Sequence, residues 1–368
     1  MLSNFVPLAS PDINDADINN VVNVLKSGML VQGENVGLLE NFFSDYLGAA
    51  RSSALSNGTS TLHLALITLG IGPGDEVIIP AFSYVATANV VELVGAKCIF
   101  VDIDNNTFNI DVNKIKKAIT HNTKAIIPVH EFGLACDIEA VMNIAKEYNL
   151  YVIEDAACAL GATQNNKKVG TFGDFGSFSL HPRKSVTSGE GGVLTTNNVD
   201  YDTKVKILRN HGIEMQDGRM EFVEAGYNYR MTDFQAALAH SQIQRLNNIL
   251  KLKQNLADIY LSEIKNPKII LPVVPVDRNH TWQTFHVLID DSLQQSEVLG
   301  FLRNNKIGAN YGAQCIPAMK YYANKYNLDY KANFPNAYKA YSKGVAVPLY
   351  EKLTEDTVYK ISQIINTI

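Results

Sequence analysis

Three short stretches hold residue types that could do chemistry together. The first is Phe178 to Gly192, where Lys184 sits in a polar turn between two strand-like runs. Pro182 bars a helix before it, and Gly189, Gly191 and Gly192 bar one after it. A lysine in such a turn is either a solvated loop residue or an amine able to attack a carbonyl carbon as a Schiff-base lysine. The like charge of Arg183 next door would favour the neutral amine. The second stretch is Val152-Ile153-Glu154-Asp155, an apolar run that ends in a carboxylate. Ligands of open α/β sheets lie at the carboxyl ends of strands. An aspartate there can pair with a cationic ring nitrogen and hold its proton, or it can cap the next turn. The third is Ser56 to Leu66, small polar residues ahead of an apolar helical pattern. Gly58 permits close backbone approach, and the N–H groups of Thr59 and Ser60 would point out of the helix start beside their hydroxyls. That arrangement binds phosphate, although a plain N-cap has the same signature. Ser179 would add to the cup. An amine for an aldehyde, an acid for a ring nitrogen and donors for a phosphate are together what pyridoxal phosphate requires.

The elements that must position these groups follow from periodicity. Ile18, Val21, Val22 and Leu25 predict a helix over 15–27 that stops at Gly28. A second helix is expected over 35–47. Val77–Ile79, Cys98–Val101, Ala125–Val129 and Tyr151–Ile153 read as strands, with helices over 84–94, 111–119 and 137–148 between them. The strands are apolar throughout rather than alternating, as in a parallel sheet covered on both faces, so the expected class is α/β, doubly wound. Beyond Lys184 the pattern predicts a helix over 200–210, a long helix from Thr232 past Leu250, a strand over 284–289 and helices over 294–305 and 355–367. The expected domains are residues 1–245, large and cofactor-binding, and 246–368, small and C-terminal.

Composition excludes several classes. The 368 residues carry a net charge of −5 with both signs scattered and no basic stripe, so nucleic acid is not an expected partner. Cys98, Cys136, Cys158 and Cys315 form no C-x-x-C pair, and no metal is expected. His130-Glu131 lacks a second histidine at metal spacing, and His130 reads as structural. Asp174-Phe175-Gly176 stands without the other kinase motifs, and no G-x-G-x-x-G follows a strand. No uncharged apolar run reaches membrane-spanning length, and Met1 to Pro11 lacks a signal pattern. The expected compartment is the cytoplasm, with no membrane partner.

At these residues the chain resembles the DegT/DnrJ/StrS family of pyridoxal-phosphate sugar aminotransferases. The likeness runs through Ser27-Gly28 with Gln32-Gly33, Ser56 to Leu66, Pro80 to Asn89, Glu154 to Ala157, Phe178 to Gly192, Leu208 to Gly212 and Gly226 to Asp233. It implies the fold-type I architecture: a large domain with a mostly parallel mixed sheet and a smaller C-terminal α/β domain. By position, it implies that Lys184 is the Schiff-base lysine and proton shuttle and that Asp155 partners the pyridine nitrogen. Gly58, Thr59 and Ser179 would hold the phosphate, and Tyr84 would stack on the ring. Asn228 matches a residue that reaches the phosphate of the neighbouring subunit, so a homodimer with shared sites is implied. Cys158 stands where many members carry a glutamine that contacts the ring oxygen, a departure shared by a subgroup with the His-Pro-Arg-Lys turn.

The expected reaction moves an amino group from an amino acid, glutamate, to a nucleotide-linked keto-sugar of the 4-keto-6-deoxy kind, within deoxy-amino-sugar biosynthesis such as that of O-antigens. A 3-keto sugar is the alternative, and a cofactor-binding sensor without turnover is the alternative of another class. Dehydratases of this fold carry histidine at the lysine position, so Lys184 argues against that chemistry. From residue 246 onward the arginines are Arg278 and Arg303, while Tyr311, Tyr321, Tyr322, Tyr326 and Tyr330 lie close together. Tyr311 is therefore expected to line the sugar pocket, and Arg230 to hold the donor carboxylate.

Overall fold

The parallel strands are continuous apolar runs because both of their faces are covered. In the computed structural model, which describes residues 2–368, Val77, Ile78, Ile79, Ala125, Ile126, Val152 and Ile153 are fully buried. Successive residues enter different cores. Val77, Ile79 and Ile153 pack with Leu62, Leu66 and Val90 on one face, and Ile78, Ile126 and Val152 pack with Ile138 and Val141 on the other. The seven strands lie in the order Arg51–Leu55, Gly192–Thr196, Phe175–Ser179, Tyr151–Asp155, Thr123–Ile126, Glu76–Pro80 and Lys97–Val101. The last five in that order run parallel to one another. Gly192–Thr196 is antiparallel to both of its neighbours. The sheet is thus mostly parallel and mixed.

The alternation sorts the two carboxylates at the end of Tyr151–Asp155. Asp155 shares the face of Ile153, towards the helices Gly58–Thr68 and Ala86–Leu93. Glu154 takes the other face, where it is saturated. Its oxygens accept from the N–H groups of Gly170 (2.7 Å), Phe172 (2.7 Å) and Gly173 (2.9 Å), and His130 Nε2 lies at 3.0 Å. His130 Nδ1 accepts from Cys136 N–H at 3.0 Å, which fixes the ring as a structural link.

A second sheet joins Ile269–Ile270, Phe285–Ile289 and Gly344–Val347, all antiparallel. Its core takes Tyr260, Trp282, Leu302 and Ile361 from the surrounding helices and loops. On this core we propose the division into residues 1–245 and 246–368. Two exchanges cross it: Leu2 and Val6 enter the small core, and Ala313, Cys315, Tyr322 and Ala337 enter the core of the large sheet.

The helix expected from Thr232 onward is two helices, Asp233–Ile243 and Leu246–Glu263. At the break, Arg245 turns its guanidinium to both Asp17 oxygens, at 2.9 and 3.1 Å. The strand expected over Ala125–Val129 ends at Ile126, ahead of Pro128. Among the described residues, no helix is long and apolar enough to cross a membrane.

Candidate active site

A cavity of about 580 Å³ opens where the large sheet's carboxyl edge meets the small domain. Gly58, Thr59, Tyr84, Asp155, Cys158, Ser179 and Lys184 all line it. Sequence separation is bridged by strand register: Asp155 pairs with Ser177 in the parallel neighbour, and Ser179 pairs with Gly192 in the next strand.

Lys184 is held by a turn braced from several elements. Its N–H bonds His181 C=O at 2.8 Å, and Leu180 C=O accepts from Ser188 N–H at 3.0 Å. The buried Gln242 amide clasps Thr187, accepting from its N–H at 3.2 Å and donating to its C=O at 2.9 Å. From the small domain, Gln283 donates to Arg183 C=O at 2.9 Å and Lys253 Nζ donates to Ser185 Oγ at 3.1 Å. Lys184 Nζ lies 2.9 Å from Cys158 Sγ. Burial pushes the Cys158 thiol up, against the pull of the Lys184 charge, so the sulfur stays a neutral thiol. Arg183 is solvent-exposed at the cavity's edge.

Asp155 is 5% exposed. It accepts from Thr87 Oγ1 at 2.8 Å and from Ala157 N–H at 3.2 Å. Burial pushes its carboxyl above the usual carboxylate range, while those two bonds and the Lys184 charge pull it back. A buried carboxylate in this state gains from a cation beside it, and a protonated ring nitrogen is such a cation.

The phosphate cup is smaller than the sequence suggests. Asn57 caps the helix by accepting from Ser60 N–H at 2.8 Å, and Ser60 Oγ accepts in return from Asn57 N–H at 3.2 Å. Ser60 N–H is therefore engaged, and the first-turn groups of Gly58 and Thr59 remain for a ligand. The backbone is packed so tightly here that only glycine fits. A Cβ on Gly58 would meet Ser179 Cβ at 2.9 Å, and one on Gly192 would meet the Asn57 carbonyl at 2.6 Å. The lone amine, the under-compensated carboxylate and the helix start thus fit pyridoxal phosphate at its aldehyde, ring nitrogen and phosphate.

Three expected site residues lie outside this single-chain cavity. Asn228 is exposed on the segment bridged to Asn210. Arg230 donates to Asn210 Oδ1 at 2.7 Å. Tyr311 packs edge-on to Tyr341 at 5.5 Å, with Asn310 and Gly312 on either side of it lining the cavity instead. Of the other tyrosines, Tyr322 is buried and bonds Asn89, Tyr326 bonds Glu92 at 2.6 Å, and Tyr321 is exposed. Residues not singled out from the sequence also face the site. Thr87 lies inside the Pro80–Asn89 stretch, where nothing local distinguishes it from its neighbours. Glu131 follows His130, and its sequence neighbours give no sign of the cavity it lines. Among the described residues, no cluster of His, Cys, Asp or Glu is arranged to hold a metal.

Comparison with known proteins bears on the whole chain. The DegT/DnrJ/EryC1/StrS aminotransferase family matches residues 11–366. A GDP-perosamine synthase of Caulobacter vibrioides is 38% identical over 78% of this chain and 78% of its own length. One from Vibrio cholerae is 33% identical over 97% of both chains. The solved PLP form of Spr1654 from Streptococcus pneumoniae superposes with a TM-score of 0.93 at 29% identity, covering 99% of this chain and 98% of the other.

Proposed function

The chain belongs to the DegT/DnrJ/EryC1/StrS aminotransferase family, and from that premise we propose that it transfers the amino group of glutamate to a nucleotide-linked 4-keto-6-deoxy sugar. It is a pyridoxal-phosphate-dependent sugar aminotransferase. The observation that carries the site assignment is the meeting of Lys184, Asp155 and the Gly58 helix start in one cavity. The cofactor, when bound, supplies the electron sink that makes the donor's α-carbon acidic.

In this reading Lys184 would hold the cofactor at its aldehyde, and its amine would take up and pass on the proton of the donor's α-carbon. Its turn is fixed by Gln242, Gln283 and Lys253, so the amine returns to one place. Asp155, held by Thr87, would keep the ring nitrogen protonated. Gly58, Thr59 and Ser179 would hold the phosphate, and Tyr84, 60% exposed and lining the cavity, would cover the ring. We assign Asn228 to the phosphate of a second copy, so the working unit is a homodimer. The proposed compartment is the cytoplasm.

The acceptor assignment draws on two supports. The relatives from Caulobacter and Vibrio are named for a GDP-linked amino sugar. The other support is Arg183, the cavity's lining arginine among the described residues, which is exposed at its edge, whereas gripping a keto acid's second carboxylate calls for an enclosed arginine. The test is a competition in which glutamate is offered with simple 2-keto acids or with nucleotide-linked 4-keto-6-deoxy and 3-keto sugars. The 4-keto-6-deoxy sugar should show the highest kcat/KM. A higher value for a keto acid would overturn the sugar assignment, and a higher value for the 3-keto sugar would overturn the position.

A further inference from the structure

We propose that Glu131 is a further cofactor-contacting residue, its carboxyl group donating a hydrogen bond to the ring oxygen of pyridoxal phosphate. The strand Thr123–Ile126 neighbours Tyr151–Asp155 in the sheet. Past it, Val129 bridges to Asp155, and His130 N–H bonds Asp155 C=O at 3.0 Å. Glu131 therefore leaves the sheet's carboxyl edge one strand away from Asp155. Its N–H is fixed on Asn109 Oδ1 at 2.8 Å. Phe132 follows at φ 56°, a left-handed conformation that is costly for an aromatic residue, with its ring stacked on His286 at 4.4 Å.

The side chain so placed is 5% exposed, lines the cavity, and has an Oε2 that is buried without a hydrogen-bond partner. A buried polar atom left unpaired is costly, and a functional site is where that cost is tolerated. Burial, reinforced by the Asp155 charge and opposed by Lys184, pushes the carboxyl up to about 8. Near neutral pH it is an acid with a proton to donate. The other groups around it leave this role open. Cys158 is a thiol, whose S–H is only a weak donor, and His130 is tied to Glu154. His286, behind Phe132, is kept neutral by burial, down to about 3.

The chemistry of the cofactor supplies the assignment. Lys184 takes the aldehyde, Asp155 the ring nitrogen, and Gly58, Thr59 and Ser179 the phosphate. The remaining polar group is the ring hydroxyl, which sits beside the aldehyde carbon on the edge away from the phosphate arm. Glu131 shares the surroundings of Asp155 and Lys184 and belongs to no part of the phosphate cup. A donor there stabilises the oxygen as its anion. It thereby lowers the pH at which the nitrogen joining Lys184 to the cofactor loses its proton.

The inference rests on Lys184 as the anchoring amine, and the experiment separates the two. The visible band of the cofactor-loaded enzyme is titrated with pH for the parent, Glu131→Gln, Glu131→Leu and Glu131→Met. Gln keeps an N–H donor and should titrate close to the parent. Leu and Met should raise the midpoint by about one pH unit, the size of one net hydrogen bond. Met, with a length nearer to glutamate, reads the same shift if Leu does not load. Midpoints unchanged in Leu or Met, with borohydride fixing the cofactor to Lys184, would overturn the role of Glu131. A downward shift would overturn it too, since that is the effect of removing a carboxylate. Fixation to another lysine would instead overturn the anchoring assignment.

Discussion

Replacing Asp155 with asparagine removes a charge while leaving the local fold its hydrogen bonds. The carboxylate accepts from Thr87 Oγ1 at 2.8 Å and Ala157 N–H at 3.2 Å. In the variant, the amide oxygen still accepts from Ala157. The amide nitrogen donates to Thr87 Oγ1, whose proton can turn to Ser83 Oγ at 3.1 Å. What disappears is the negative partner of a protonated ring nitrogen in a nearly dry place. An ionic hydrogen bond there contributes about 2–4 kcal/mol to the transition state. At about 1.4 kcal/mol per factor of ten, the loss is roughly 30- to 1,000-fold in kcat. The assay is steady-state kcat at saturating donor and acceptor, with cofactor content measured on the same sample. The expected variant binds cofactor and turns over slowly. A kcat within roughly threefold of the parent, at equal cofactor content, would refute the ring-nitrogen role.

Other perturbations follow from the same geometry. Lys253 is fully buried between Ser185 Oγ at 3.1 Å and Glu351 at 3.4 Å, and burial holds its amine below the usual range. Lys253→Met should cost about 3–5 kcal/mol in denaturant unfolding by stranding Glu351, and Lys253→Met with Glu351→Leu should recover most of it; no recovery would mean the pair is not the cause. Glu131, ordinarily near 4.5 and raised to about 8 by burial in the fold, binds its proton more tightly folded than unfolded. Cofactor-free protein should therefore lose stability as pH rises through that window, and Glu131→Gln should flatten the fall of Tm; parallel curves would count against a raised carboxyl. If sites are shared, mixing Lys184→Ala with Asn228→Ala subunits should restore activity that neither homodimer has, and a fully active monomer would contradict the sharing.

Local signals carried much of this account, and their limits are physical. The helix Asp15–Ser27 and its stop at Gly28 (φ 74°) follow from apolar spacing and one glycine. The same spacing misleads on burial: Ile18 and Leu25 are each 51% exposed in the single chain, while Asp17 is buried by its ion pair to Arg245. Neither glycine nor proline marks the break between Asp233–Ile243 and Leu246–Glu263, so that long-range pair left no local trace. Within Lys320–Tyr326, Tyr322 and Tyr326 bond Asn89 and Glu92, and within Pro335–Lys343, Asn336 and Ala337 bond Ile103 and Asp102; these partners lie far outside the window of periodicity, which hid both helices. In the site, Lys184 and Asp155 were legible because a proline, glycines and a strand end punctuate them. Glu131 was not, because its meaning depends on the neighbouring strand bringing Asp155 beside it.

The assignment on which everything else depends is the amine of Lys184. Borohydride reduction of the cofactor-loaded protein, followed by peptide mapping, reads it directly. The reduced adduct should fall on the peptide containing His181-Pro182-Arg183-Lys184, and Lys184→Ala should carry no reducible visible band. An adduct on any other lysine, or full turnover by Lys184→Ala, would contradict the account.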